Sequence, residues 1–185
     1  MMKKILLSLV VLLSTSVIFH SRAQAQKTDS CFFNTVVNNH DQIFELSCIP
    51  SAVEIILKYY KVVDFDFYEL QNKWKNKTDG SFHDFDKKKL YGITFFQKFV
   101  LPRDAKFPID SLFRTIENEL KAKKKIIISL PSNAGWHMFI ISEQTPDGEF
   151  VSYSKLGSHT LILRNTKEIV RNSNGTEIMT YSIRL

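Results

Sequence analysis

Long apolar runs, glycine and cysteine are all scarce in this chain of 185 residues, and neither sign of charge strongly predominates. Only one long stretch, close to the N-terminus, is largely apolar. No later segment approaches the ~20 apolar residues that a membrane-spanning helix needs. Six glycines against fifteen phenylalanines argue against disorder. There is no internal repeat and no low-complexity segment, which excludes repeat architectures. The formal net charge is +6, but Lys3, Lys4 and Arg22 carry three of those charges and residues 1–25 hold no acid, so the remainder is near +3. That is too mild for a nucleic-acid-binding surface. The lysine runs at 87–89 and 123–125 lack interleaved arginines and aromatics and read as solvated helix ends.

What is present fits one globular domain with a real core: 44% hydrophobic and 24% charged residues. Lys3 and Lys4 precede an apolar stretch over 5–19, broken only by serines and a threonine. Ala23-Gln24-Ala25 then supplies the small-x-small pattern that signal peptidase accepts. Residues 1–25 are therefore expected to be a cleaved signal peptide, with export to the periplasm or medium and no stable membrane insertion afterwards. The apolar stretch is short for a membrane anchor. Residues 26–40 are polar and read as a loosely packed arm; the domain proper is expected over 41–185.

Periodicity predicts a helix over 47–60 with almost no polar face. Only Glu54 and Lys58, an i, i+4 pair, interrupt its apolar surface. Pro50 suits its first turn. A second helix is expected over 66–77, a short helix and an extended piece over 87–100, and an amphipathic helix over 110–123, where Leu112, Phe113, Ile116 and Leu120 repeat at helical spacing. The pattern then changes to β-branched runs at 125–130, 136–142, 150–154, 160–163 and 177–183, with turns at 145–148 and at Asn174-Gly175 and a short helix ending near Val170. Helices first and an antiparallel sheet second make an α+β domain with segregated layers.

Three residues stand in a chemically meaningful order: Gln42, Cys48 and His137. A thiol reacts as thiolate, which a helix N-terminus and a neighbouring imidazolium both favour. Cys48 opens the apolar helix, and His137 opens a strand. The backbone N–H of Cys48 and the side-chain amide of Gln42 would supply donors for an oxyanion.

The segment from Gln42 through Cys48 to Tyr59-Tyr60 resembles the papain-like cysteine peptidases, and is similar to their C39-like branch, which reads Cys-Gly-Pro followed by small and then apolar residues ending in Tyr-Tyr. The second block of that branch is a strand, a short glycine-containing loop and a histidine opening the next strand; here it falls on 125–130, 131–135 and 137–141. The resemblance covers roughly 42–155. It implies a papain-like fold, with a helical part around Cys48, a twisted antiparallel sheet carrying His137 and a cleft between them. It implies a thiol hydrolase acting on peptide or protein substrates without metal or cofactor. Cys48 would be the nucleophile, His137 the base and Gln42 the oxyanion donor.

Two departures stand out. Ile49 replaces the glycine after the cysteine. The Asp or Asn that orients the histidine falls, by the hairpin's spacing, on Ser154, which accepts a hydrogen bond but brings no charge. An inactive papain-like domain that binds a peptide or cell-envelope partner is therefore the alternative. A Cys31–Cys48 disulfide is a further alternative for Cys48 in an exported chain. His83, Asp84 and Asp86 have metal-ligand chemistry but no second cluster, and read as a polar loop.

Overall fold

The computed structural model describes residues 29–133 and 135–183, so the expected signal peptide over 1–25 lies outside the described residues. The chain divides into two compact units, Met1–Asn34 and Thr35–Leu185. The described part of the first is helical. The segment expected as a loose arm is in fact a helix over 29–38 (α1), and Val36 and Val37 on it are buried.

The second unit contains helices α2 (Cys48–Tyr59), α3 (Glu69–Lys73), α4 (Ile109–Lys121) and α5 (Thr166–Asn172). Seven strands form one sheet: β1 (Lys89–Leu90), β2 (Ile93–Lys98), β3 (Ile126–Ser132), β4 (Gly135–Gln144), β5 (Phe150–Leu156), β6 (His159–Leu163) and β7 (Ile178–Ile183). Their order is β1-β2-β7-β3-β4-β5-β6, and every neighbouring pair is antiparallel. The last strand thus closes the middle of the sheet between β2 and β3. The architecture is α+β. Among the described residues, no helix is long and apolar enough to cross a membrane.

α2 is buried from Ile49 to Tyr59 and packs against β4 and β5. Val53, Ile56 and Leu57 are fully buried, and each contributes roughly 1.5–3 kcal/mol by leaving water. A second core joins Leu112, Phe113 and Ile116 of α4 to Ile126, Ile128 and Leu130 of β3 and Phe139 and Ile141 of β4. These strand residues alternate along the chain, as residues on one sheet face must.

Three expectations are corrected. The helix over 66–77 shrinks to the five residues of α3. The segment over 87–100 holds no helix; it is a hairpin of β1 and β2, turned at Tyr91 and Gly92, both with positive φ (48° and 87°). Consecutive left-handed residues make the turn whose twist matches paired strands. Of the lysine runs, 87–89 is exposed beside a strand rather than a helix, and Lys125 is buried, with Nζ donating to the Ser142 carbonyl at 3.1 Å.

Gly175 fixes the entry to β7. Its φ is +106°, and a Cβ there would meet Phe107 Cγ at 2.2 Å. Gly175→Ala is therefore expected to lower stability by about 2 kcal/mol or more, from strain and overpacking combined. A urea midpoint equal to that of the parent chain would refute this account of the turn.

Candidate functional site

Cys48 is the first residue of α2. Ser47 precedes it as the helix cap position, and the Ser51 N–H donates to the Ser47 carbonyl at 2.9 Å. Pro50 sits in the first turn, where its missing N–H leaves no carbonyl unpaired. Cys48 and His137 line the same cavity, of about 690 Å³. Its other walls come from Glu45 and Leu46 before α2, from the loop carrying Lys77, Gly80 and Phe82, and from the β3–β4 hairpin with Trp136. At its mouth the Arg103 guanidinium lies 3.5 Å from the centre of the Trp136 ring and 3.8 Å from the Glu177 carboxylate. Both cysteines are thiols; Cys31 is exposed and Cys48 partly buried.

The imidazole of His137 is held from one side. Its Nε2 lies 2.7 Å from Ser154 Oγ and 3.1 Å from the Lys155 carbonyl oxygen. The Ser154 hydroxyl spends its proton on the Met138 carbonyl. Both neighbours of Nε2 are therefore acceptors, which puts the ring proton on Nε2 and leaves the lone pair on Nδ1. The paired register of β4 and β5 stops at Ile140↔Tyr153, although both strands run on. Past that point, side chains take up the backbone groups: Ser154 binds the Met138 carbonyl and His137 binds the Lys155 carbonyl.

The backbone N–H groups of Met138, Ile49 and Cys48 itself act on the Cys48 thiol in favour of thiolate. Burial outweighs them and pushes the thiol above its ordinary range. Burial also pushes His137 down, with only the Lys155 carbonyl acting the other way. Among the described residues, no hydrogen bond joins the thiol to the imidazole. The resting pair is thus a neutral thiol and a neutral imidazole lining one cavity.

Gln42 is placed differently from the expectation. It is buried, and its amide Nε2 donates to the carbonyls of Phe44 at 3.0 Å and Glu45 at 2.7 Å. Both N–H groups are directed at the loop before Cys48, while Oε1 is buried without a partner among the described residues. Neither Gln42 nor Ser154 is among the cavity-lining residues. The structure brings together Cys48, His137 and, behind the histidine, Ser154; it uses Gln42 to brace a loop.

A buried polar network beside the site escaped the sequence reading. His40, Glu54, Lys58 and Gln71 are essentially without exposure. Lys58 Nζ donates to His40 Nδ1 at 2.8 Å, so His40 carries its proton on Nε2, 3.0 Å from Ser51 Oγ. Glu54 Oε1 accepts the backbone N–H groups of Leu70 and Gln71, capping α3 from α2. The Tyr68 ring stacks on His40 at 5.0 Å and faces Lys58 Nζ at 3.9 Å. The available signal was that Glu54 and Lys58 sit on a helix otherwise too apolar to have a wet side.

Among the described residues, no cluster of three or more His, Cys, Asp or Glu side chains could hold a metal ion. Asp84 instead closes a capping box with Ser81 and pairs with Lys77 at 3.3 Å, and Asp86 accepts the Gln97 N–H at 2.9 Å. Comparison with protein families, curated proteins and solved structures finds no match to this chain.

Burial and the charges of Lys58 and Lys155 hold His40 neutral, lowering its pKa from 6.5 to about 2. The unfolded chain takes up this proton near pH 6.5 and the folded chain does not. The contribution is therefore fully present above pH 6.5 and is lost as pH falls towards 2. It amounts to about 1.4 kcal/mol per pH unit for one proton. Chemical denaturation between pH 7.5 and 5.0 should show this slope, reduced by about one proton in His40→Gln. Equal slopes in the two proteins would rule out a buried neutral His40.

Proposed function

We propose that this protein is an exported, papain-like thiol hydrolase related to the C39-like peptidases, cleaving peptide bonds in its cavity. One observation carries the reading: Cys48, at the N-terminus of a buried helix, lines the same cavity as a histidine whose Nε2 is anchored and whose Nδ1 is left with a lone pair. An α+β domain with its buried helix against an antiparallel sheet agrees with this reading, as does the order of the two segments in the sequence.

In this mechanism Nδ1 of His137 takes the thiol proton as sulfur attacks the carbonyl carbon of the substrate. Ser154 and the Lys155 carbonyl hold the ring while its charge forms. The backbone N–H groups at the start of α2 are the donors closest to the developing oxyanion. The protonated Nδ1 then gives its proton to the leaving amine, and water hydrolyses the thioester. The steps need no metal or cofactor. Gln42 contributes by holding the loop over 44–45.

A second reading is favoured by a specific observation: burial disfavours both ions of the pair, and no carboxylate among the described residues supports His137. On that reading the domain binds a peptide or cell-envelope partner in the same cavity and does not cut it.

The two are separated by incubating the mature protein with a diverse peptide library and reading products by mass spectrometry. The hydrolase reading expects cleavage that is abolished in Cys48→Ala and lowered about 10²–10⁴-fold in His137→Ala. Products no more abundant than with Cys48→Ala would leave the binding domain as the better account. In parallel, alkylation of Cys48 should keep rising above pH 9, as a buried thiol requires.

A further inference from the structure

The loop over 41–47 ends on the nucleophile, and its Glu45 and Leu46 form one wall of the cavity. Its conformation therefore decides both where the sulfur sits and how wide the cavity is. The loop forms no strand or helix of its own, so its backbone polar groups need partners elsewhere. The Gln42 N–H goes to the Gly157 carbonyl, the Asp41 N–H goes to the Tyr68 hydroxyl, and Gln42 and Ser47 bond within the loop. Among the described residues outside the loop, Gln71 makes the most bonds to it. Gln71 Nε2 donates to the Asp41 carbonyl at 2.9 Å and to Glu54 Oε2 at 2.8 Å. Its Oε1 accepts the Ile43 N–H at 2.9 Å and faces Ser47 Oγ at 2.7 Å. Its own backbone N–H is held by Glu54 Oε1 at 3.0 Å. The side chain is fully buried, so water does not replace a lost bond. It grips the loop at its beginning, its middle and the residue before Cys48, and ties all three to α2.

We propose that Gln71 is the positioning residue for Cys48, fixing the depth of the sulfur in the wall and the placement of Glu45 and Leu46. This rests on reading Cys48 as the reactive thiol of the site, but not on peptide hydrolysis. The amide is suited to the task because it offers two donors and two acceptor lone pairs in one rigid plane, and the loop with Glu54 uses both kinds. A carboxylate at 71 would keep the acceptors and lose the donors. An alkyl side chain would lose everything.

The experiment uses the full mature chain with Cys31→Ser, so that only Cys48 reacts, and measures iodoacetamide alkylation from pH 6 to 10. The variants are Gln71→Leu and, where that chain fails to fold, Gln71→Glu. Phe95→Leu, at a buried position on β2 that is not among the cavity-lining residues, serves as a control destabilised to a similar degree. If Gln71 positions the sulfur, its variants let the loop relax and expose the thiol. The alkylation rate at pH 7 should rise about fivefold or more, and the midpoint should move down towards an ordinary thiol near 8.5. Phe95→Leu should keep the parent profile. In Gln71→Glu the parent profile should return in part at the acid end, where a protonated carboxyl regains one donor. A parent-like profile in a folded Gln71 variant, or the same change in Phe95→Leu, would overturn the proposal. Absence of peptide cleavage by the parent chain would bear on the hydrolase reading alone, since alkylation at Cys48 reads position without catalysis.

Discussion

A helix with no face to water must satisfy every polar group it carries, and α2 carries a carboxylate and an ammonium. Glu54 and Lys58 lie four residues apart on it, both buried. An uncompensated charge in such a place costs about 3–5 kcal/mol when its partner is removed. The rest of the helical part is arranged around meeting that demand. Glu54 takes the first N–H groups of α3 and the amide of Gln71; Lys58 takes His40 and the face of Tyr68. α3 is only five residues long, too short to persist alone, and these bonds account for its presence. Desolvation lowers Lys58 to about 8 and raises Glu54, while the attraction between them acts against both shifts.

The same demand reaches the candidate site. The residues that answer Glu54 and Lys58 also hold the loop before Cys48, so the helix that opens with Cys48 also supplies the anchor for the chain leading to it. On the sheet side the corresponding device is the interrupted ladder. Where β4 and β5 stop pairing, Met138 and Lys155 have backbone groups to offer, and these orient His137, Ser154 and the sulfur. A continuous ladder would have consumed them.

Much of the layout could be read in the sequence because its signals are periodic. Leu112, Phe113 and Ile116 repeat as a helix face, and the runs that became β3, β4 and β5 are β-branched or aromatic and bounded by turn residues. The spacing of the β4–β5 hairpin was enough to set Ser154 against His137, and the two are in contact. The failures have physical causes. α3 and the β1–β2 hairpin are short, and short elements are decided by tertiary bonds: Glu54 caps the one, and left-handed Tyr91 and Gly92 turn the other. Lys125 resembled a solvated residue because a lysine run usually is one, but its ammonium reaches the Ser142 carbonyl where β4 bulges between Ile141 and Glu143. Gln42 was read from its place in a motif, and no motif says which way an amide points. His40 and Gln71 were illegible because their partners are 11 to 31 residues away.

The charge state of the pair follows from what surrounds it. Three backbone N–H groups at the sulfur and the helix N-terminus favour thiolate, yet burial prevails, since dipoles replace only part of the hydration a compact anion loses. His137 has no opposing carboxylate among the described residues; Ser154 and the Lys155 carbonyl orient the ring without lending it charge. A proton transfer from Cys48 to His137 would thus create two ions in a place that favours neither. On the proposed hydrolase mechanism, such a transfer would become favourable only as charge leaves the sulfur for a substrate carbonyl, where the N–H groups of α2 would meet it, and the thiol would stay unreactive until that carbonyl is in place. Burial, with no carboxylate beside His137 among the described residues, is what makes the resting pair reluctant to ionise.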